Sequence, residues 1–157
     1  MNARLEPGDT APNFSLPADA QRTLSLHDYR GRKIVLFFYP RDDTSDCTRE
    51  AKDFSGLKAS FDQADASIIG ISADSVASHE KFKAKHALDV DLASDEDADV
   101  LLDYGIWVDK NMYGRKFKGI ERTTLLIDRK GKIAQIWRKV KVPGHADDVL
   151  KAVKNLD

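Results

Sequence analysis

The segment IVLFFYPRDDTSDCTREAKDF, residues 34–54, joins an apolar run to an amphipathic pattern through a polar loop. The run 34–39 is aliphatic and aromatic throughout, as in a central strand that is covered on both faces. After Cys47 the apolar side chains recur at helical spacing, at positions 51, 54, 57 and 61. The segment therefore predicts a strand, a loop and a helix, and it places the only cysteine of the chain where the helix begins.

The rest of the chain repeats this alternation once and then departs from it. A second apolar run, 67–72, precedes a helical pattern that Asp74 or Ser75 can cap. Two later runs, 123–128 and 132–137, flank a polar turn with glycine and predict a hairpin before a last helix that starts near Ala146. With a further N-terminal hairpin in 14–26, this order predicts an α/β protein of the thioredoxin-like fold. We expect one domain, 1–157, in which helices flank a central mixed sheet.

The composition excludes several classes of function. The 25 basic and 26 acidic residues give a formal net charge of −1, so no large electrostatic field attracts nucleic acid or a membrane surface. No apolar run reaches the roughly 20 residues of a membrane span, and the first ten residues do not resemble a signal peptide. A lone cysteine cannot form an internal disulfide, which suits a reducing compartment. We therefore expect a cytoplasmic protein whose partners are small molecules or other proteins.

Cys47 occupies a position that favours chemistry. Ligands of open α/β sheets gather beyond the carboxyl ends of the strands, and Cys47 follows a predicted central strand. At a helix start, unpaired N–H groups and the helix dipole both favour the thiolate. The alternative is that Cys47 is a small core residue, as most free cysteines are. Because residues 42–46 and 48–50 are all polar, we expect the thiol to lie outside the core.

Ionisation alone gives such a thiol only a modest gain in reactivity. A thiol of ordinary pKa is only about 3% ionised at pH 7, so full ionisation gains roughly 30-fold in rate. Further donors must orient a substrate and stabilise charge on its departing oxygen. The Thr44 hydroxyl is one candidate, although it can equally serve as a helix cap. For the cation, Arg122 before a predicted neighbouring strand is preferred over Arg41 and Arg49, although an arginine there can also be an edge charge.

Several motifs together resemble one known family. They are Pro40-x-x-x-Thr44-x-x-Cys47-Thr-x-Glu50, GIERTTLLID at 119–128, GDxAPxFxLP at 8–17, LxDYRG at 26–31, YGIW at 104–107 and NMYG at 111–114. In combination they look like a peroxiredoxin of the peroxiredoxin Q or bacterioferritin comigratory protein type, and the likeness runs over nearly the whole chain.

The resemblance implies a thiol-dependent peroxidase that acts in antioxidant defence without metal, haem or flavin. In it Cys47 is the peroxidatic cysteine, and Thr44 binds the peroxide. Arg122 activates thiolate and substrate, and Pro40 shields the sulfur. Attack on hydrogen peroxide or an organic hydroperoxide yields a sulfenic acid. Glu50 is implied to orient an arginine.

Two departures from the family pattern bear on mechanism. Ser45-Asp46 replaces the usual Pro-Gly, and a carboxylate pointing at the sulfur would oppose its ionisation. The two positions where relatives carry a resolving cysteine hold Lys52 and Lys83. An intramolecular disulfide is thereby excluded, so the expected reductant is an external thiol: a thioredoxin, a glutaredoxin or a small thiol. The expected assembly is a monomer or a weak homodimer.

The sequence also bears on other functions. A dithiol oxidoreductase would need Cys-x-x-Cys, which is absent from the sequence. A thioredoxin-like redox sensor, in which Cys47 reports peroxide without rapid turnover, remains open. The acidic segment 95–99 resembles the start of a calcium loop but lacks the glycine and glutamate, so it predicts a helix start. The histidines, at positions 27, 79, 86 and 145, lack zinc-site spacing and are expected on the surface or on helix faces.

Overall fold

The computed structural model describes residues 4–157; residues 1–3 of the predicted domain lie outside this range. The elements, in chain order, are β1 (Ser15–Ala18), β2 (Arg22–Ser25), β3 (Lys33–Phe38), α1 (Ser45–Gly56), α2 (Lys58–Gln63), β4 (Ala66–Ser72), α3 (Val76–His86), β5 (Asp91–Ser94), α4 (Asp99–Asp103), β6 (Trp107–Met112), β7 (Arg115–Ile120), β8 (Thr123–Ile127), β9 (Ile133–Arg138) and α5 (His145–Lys154). A short 3₁₀ turn, Leu26–Tyr29, precedes β3.

The main sheet has seven strands in the order β2-β1-β5-β4-β3-β8-β9. The strands β3, β4 and β5 are parallel, whereas β8 and β9 are antiparallel to their neighbours. The predicted central mixed sheet is therefore confirmed, with β3 between β4 and β8. In the β3–β8 pairing Phe38 faces Thr123, so the last residue of β3 lies beside the first residue of β8.

Side chains of β3 supply both layers of the core, because successive residues of a strand point to opposite faces. Ile34, Leu36 and Phe38 pack with the N-terminal hairpin and α4. Val35 and Phe37 pack with α1, α2, α3 and α5 on the other face. All five side chains are buried. The apolar run thus serves as a strand covered on both faces, and it fixes α1 against the sheet.

The two predicted hairpins are present. The first joins β1 to β2, and the second joins β8 to β9 with a register shift after Leu126. Ser75 caps α3, since its hydroxyl accepts a hydrogen bond from Ser78 N at 3.1 Å. The acidic segment starts α4, where Asp95 Oδ2 accepts a hydrogen bond from Leu101 N at 2.8 Å. No helix within residues 4–157 is both long enough and apolar enough to cross a membrane.

The hairpin of β6 and β7 was not predicted, and it forms a separate two-stranded sheet. Its turn is Tyr113-Gly114, and both residues have positive φ, 54° and 79°. Such a two-residue turn suits the twist of the flanking strands. Most residues of the hairpin are at least partly exposed, so the alternation of apolar and polar residues that marks a half-buried strand is weak.

Candidate active site

Cys47 is the third residue of α1, just beyond the carboxyl end of β3. The N-cap is Thr44, with φ −90° and ψ 159°, and the first intrahelical bond runs from Thr48 N to Thr44 O at 2.9 Å. The N–H groups of Ser45, Asp46 and Cys47 therefore have no acceptor within the helix. These N–H groups and the positive end of the helix dipole belong to the same first turn of α1 as Cys47.

The burial of Cys47 differs from the expectation. The residue is only 1% exposed and packs with Ala51 and Phe54. The polar neighbours did not keep the thiol out of the core: residues 43–46 and Arg49 are exposed, whereas Asp42 and Glu50 are buried as Cys47 is. Asp46, the neighbour whose carboxylate could have opposed ionisation, is exposed. Cys47 is thus a core residue by burial, and its polar contacts decide whether it is also a reactive one.

The main polar contact of the sulfur is with Arg122. The Nη2 atom of Arg122 donates to Cys47 Sγ at 3.2 Å. Arg122 directly precedes β8, and the pairing of β8 with β3 brings the guanidinium to the start of α1. Arg41 and Arg49, the candidates nearer in sequence, are exposed. Of these three arginines, Arg122 is therefore the one that lies beside the sulfur, as expected.

The other arm of Arg122 is held by Glu50. Its Nη1 atom donates to Glu50 Oε1 at 2.7 Å, and Glu50 is 1% exposed. Burial raises the pKa of Glu50 to about 7, although the guanidinium of Arg122 opposes this rise. The second carboxylate oxygen, Oε2, is buried and has no hydrogen-bond partner among the described residues. Glu50 thus fixes the orientation of Arg122 through one carboxylate oxygen, while the other oxygen lacks a hydrogen bond within residues 4–157.

The raised pKa of Glu50 predicts a pH dependence of stability. In the unfolded chain the pKa is near 4.5 and in the folded protein about 7, so the folded state binds more protons between these values. The free energy of unfolding should therefore fall as pH rises through this window, with Glu50 contributing up to about 3 kcal/mol of the fall. In Glu50→Gln this contribution is absent, and urea unfolding from pH 4.5 to 7.5 should show a flatter profile.

The control for this measurement is Glu80→Gln, which changes an exposed glutamate of α3. Its pH profile should follow that of the wild type. Equal slopes for Glu50→Gln and the wild type would contradict the assignment of the raised pKa to Glu50.

Thr44 and Pro40 lie in the loop between β3 and α1. The Thr44 hydroxyl donates to Arg41 O at 2.9 Å. Because its one proton is used there, the oxygen can only accept a further hydrogen bond, such as one from the O–H of a hydroperoxide. Although Thr44 is the N-cap residue of α1 by its backbone, its side chain makes no capping hydrogen bond to the helix. The alternative that this hydroxyl caps the helix is therefore not observed. Pro40 is half-buried and follows directly on Tyr39 at the end of the strand.

A buried polar network holds this loop from behind. Asp42 Oδ1 accepts from Tyr39 OH at 2.7 Å, and Asp42 Oδ2 accepts from Ser78 Oγ at 2.8 Å. The Oδ2 atom also lies 2.7 Å from Nδ1 of His79. The Nε2 atom of His79 lies 2.9 Å from Ala93 O, which can only accept, so Nε2 carries a proton. A further proton must lie between Nδ1 and Asp42, which makes this a proton-sharing or ionic pair inside the protein.

Two of the four histidines, which were expected on the surface or on helix faces, are buried. His79 lies on a face of α3, as expected, but is 0% exposed. His145, the first residue of α5, is also buried, and its Nε2 lies 2.8 Å from Thr124 Oγ1. Burial lowers the pKa of His145 to about 4, so it is neutral near pH 7. No periodic signal in the sequence marks the partners of His79 and His145, because these partners come from distant segments.

The same network contains the one group of residues within 4–157 that could hold a metal ion by geometry. Asp42, Asp74 and His79 each offer an atom within 4.8 Å of the others. Asp74 Oδ2 accepts from Asp42 N and from Ser72 Oγ, each at 2.7 Å. Hydrogen bonds to Asp42 and Asp74 therefore account for the closeness of the three groups. These hydrogen bonds hold the loop before α1 in place.

Removing the charge of Asp42 should destabilise the fold strongly. Breaking a buried charged pair leaves its partner unpaired, and typical losses are about 3–5 kcal/mol. We expect Asp42→Asn to lower the free energy of unfolding by about 3 kcal/mol, measured by urea denaturation. The matched control is Asp43→Asn, because Asp43 is exposed and pairs with Lys85 and His86 at the surface. Equal, small losses in both variants would show that the Asp42–His79 pair does not brace the loop.

Lys52 and Lys83 stand at the two positions where the family resemblance led us to expect a resolving cysteine. Lys83 Nζ donates to Asp19 Oδ2 at 2.9 Å, which ties α3 to the end of β1. Lys52 is exposed on α1. Because the sequence holds one cysteine, it offers no second thiol that could form a disulfide with Cys47.

Comparison with known proteins gives concordant similarities. A family described as the AhpC/TSA family matches residues 7–136. Peroxiredoxin Bcp of Bacillus subtilis is 43% identical over 152 residues, 97% of each chain. The crystal structure of a Xylella fastidiosa PrxQ mutant is similar with a TM-score of 0.92 and 37% identity over 98% of each chain. A structure of the Xanthomonas campestris bacterioferritin comigratory protein, studied for alkyl peroxide reduction, has a TM-score of 0.87 and 42% identity over 90% of each chain.

These similarities confirm the predicted thioredoxin-like fold. The region matched by the family, residues 7–136, contains Cys47, Glu50 and Arg122. It also spans β3, α1 and β8, the elements that bring these residues together.

Proposed function

The chain belongs to the AhpC/TSA family and is a thiol-dependent peroxidase, and from this premise we propose that Cys47 is its peroxidatic cysteine. One observation carries the proposal: the sulfur at the start of α1 lies 3.2 Å from a guanidinium nitrogen of Arg122. A fixed cation beside a thiol favours the thiolate, which is the nucleophile. Burial of an inert cysteine would need no such partner.

The reaction follows from these contacts. The Cys47 thiolate attacks one oxygen of a hydroperoxide, the O–O bond breaks, and Cys47 becomes a sulfenic acid. The departing oxygen leaves with the bonding electrons and takes up a proton to form water or an alcohol. Arg122 stabilises the negative charge that moves from sulfur to this oxygen. Thr44 accepts a hydrogen bond from the O–H of the substrate, and Pro40 shields the sulfur from bulk water.

We assign hydrogen peroxide and organic hydroperoxides as substrates. The relative from Xanthomonas campestris, studied for alkyl peroxide reduction, supports the second class. The sulfenic acid is reduced by an external thiol, from a thioredoxin, a glutaredoxin or a small molecule, because the chain holds no second cysteine. Without an internal thiol to compete, excess peroxide should oxidise Cys47 further to the sulfinic acid.

Residues 1–157 act as one domain. This proposal is supported by the main sheet, which includes strands from both ends of the described chain. The protein works as a monomer or weak homodimer in the cytoplasm, and the single thiol suits a reducing compartment.

Mass spectrometry after one equivalent of peroxide tests the proposal. We expect a mass increase of one oxygen on Cys47, trapped by a sulfenate-specific reagent, and a mixed disulfide when a thiol is then added. Oxidation at a methionine instead, with Cys47 unmodified, would contradict the proposal.

A further inference from the structure

A groove next to the candidate active site is larger than a peroxide requires. It lies between the β6–β7 hairpin and the segment after β9, has a volume of about 1020 Å³, and has Arg122 in its lining. Val140 N donates to Arg122 O at 3.1 Å, which places Lys139 beside Arg122. Pockets that bind small organic molecules typically reach about 300–1,000 Å³. The groove therefore has room for a second, larger molecule close to Cys47.

The groove is strongly cationic, although the chain as a whole has a formal net charge of −1. Two acidic and five basic residues line it, the basic ones being Arg4, Lys110, Lys118, Arg122 and Lys139. The acidic residues are already paired, Glu121 with Arg4 at 3.1 Å and Asp109 with Lys118 at 3.3 Å. Within residues 4–157, Lys110 and Lys139 have no carboxylate at ion-pair distance. These two lysines are available to a bound anion.

Lys110 is held in the groove by the shape of the hairpin. A Cβ atom at Gly119 would lie 3.2 Å from Lys110 Cδ, so the lysine stem crosses the hairpin where a side chain is missing. Burial and the charge of Arg122 lower the pKa of Lys110, whereas the negative charge of Cys47 raises it. Lys110 is thus a partly desolvated cation within the electrostatic reach of both site residues. A carboxylate bound there would relieve its repulsion with Arg122.

We propose that this groove binds the carboxylates of a small anionic thiol, which reduces the sulfenic acid formed at Cys47. The inference rests on the function proposed above and names the reductant of the same site. The sequence supplies one thiol only, so the reductant must come from outside, and the groove provides unpaired positive charge next to Arg122, which contacts the reacting sulfur. A thiol with two carboxylates and the size of a tripeptide has the matching chemistry.

The reduction takes two steps. The first thiol attacks the sulfur of the sulfenic acid, an S–S bond forms, and hydroxide leaves and is protonated to water. A second thiol then attacks the sulfur of the bound thiol, and Cys47 leaves as thiolate. The peroxide accepts two electrons from two thiols, which end as one disulfide.

The test uses glutathione and its diethyl ester, which share one thiol but differ in carboxylate charge. The wild-type protein is converted to the sulfenate with one equivalent of peroxide, and the rate of mixed-disulfide formation is then measured with each thiol by rapid quenching and mass spectrometry. We expect glutathione to react about tenfold faster than the ester at low salt, and the ratio to fall as salt is raised.

The double variant Lys110→Gln/Lys139→Gln should bring this ratio close to one. The matched control is Lys130→Gln, which changes a lysine in the β8–β9 turn, outside the groove, and should keep the wild-type ratio. Gly119→Ala offers a second test, because it displaces Lys110 without removing a charge. Sulfenate formation by peroxide is measured separately. A substitution that slows this step therefore does not change the ratio of the two mixed-disulfide rates.

Two outcomes would overturn the proposal. Equal rates for the acid and the ester in the wild type would show that the groove does not select anionic thiols. If the lysine variants instead slow sulfenate formation by a carboxylate-bearing hydroperoxide, relative to a neutral one, while the thiol ratio is unchanged, the groove serves the peroxide. Failure to form any sulfenate on Cys47 would refute the proposed function itself and is distinguished by the first step of the experiment.

Discussion

Cys47→Ser is expected to lower the rate of peroxide consumption by at least about 10³-fold, because no other residue can form the sulfenic acid. A serine hydroxyl stays protonated near pH 7, and its oxygen is a far weaker nucleophile than a thiolate toward a peroxide. The change is small in volume, so the core formed by Ala51 and Phe54 should stay packed. The measurement is peroxide loss with excess thiol, corrected for the thiol alone.

Ser45→Ala provides the control for this variant. It alters an exposed residue in the same turn of α1 and should keep most of the activity. Thermal unfolding of both variants separates loss of the nucleophile from loss of the fold. Peroxide consumption that survives the loss of Cys47, with the fold intact, would remove the basis of the proposed mechanism.

Arg122→Leu is expected to lower the second-order rate constant with peroxide by about 10²–10³-fold, the usual effect of removing a donor that stabilises transition-state charge. The guanidinium contacts the sulfur at 3.2 Å and Glu50 at 2.7 Å, so its removal also leaves a buried carboxyl unpaired. Arg122→Lys should lose less, because it keeps the charge but cannot contact both partners in the same planar geometry. Stopped-flow measurement of sulfenate formation reports these effects directly.

Arg49→Leu is the matched control, because Arg49 lies two residues from Cys47 in sequence but is exposed. Its rate constant should stay close to that of the wild type. This pair of variants also decides between catalysis and sensing. A sensor cysteine that reacts as an ordinary thiol would show little change on loss of Arg122, whereas a peroxidase depends on it.

The strand-and-helix frame could be predicted because it depends on local patterns. The run before Pro40 is apolar without interruption, and the helix after Thr44 has a clear amphipathic spacing. Once β3 and β8 were expected to be neighbours, Arg122 followed as the cation beside Cys47. The burial of Cys47 could not be predicted in the same way, because it depends on which side of the first helical turn faces the sheet.

Contacts between distant segments account for most of what sequence reasoning missed. The pairing of Asp42 with His79 joins residues 37 positions apart, and no spacing rule brings them together. The Oε2 atom of Glu50, which has no hydrogen-bond partner within residues 4–157, is likewise a property of the packed core. For the β6–β7 hairpin, Gly114 was an available sequence signal of a turn, but the exposed strands lack apolar alternation.

The most direct test of the central claim is the rate constant for sulfenate formation at Cys47 at pH 7, compared with that of free cysteine. Full ionisation of the thiol accounts for only about a 30-fold gain. If Arg122 and Thr44 orient the peroxide and stabilise the departing oxygen, the ratio should exceed about 10³-fold. A ratio at or below about 30-fold would contradict the account, because ionisation alone would then explain the reactivity.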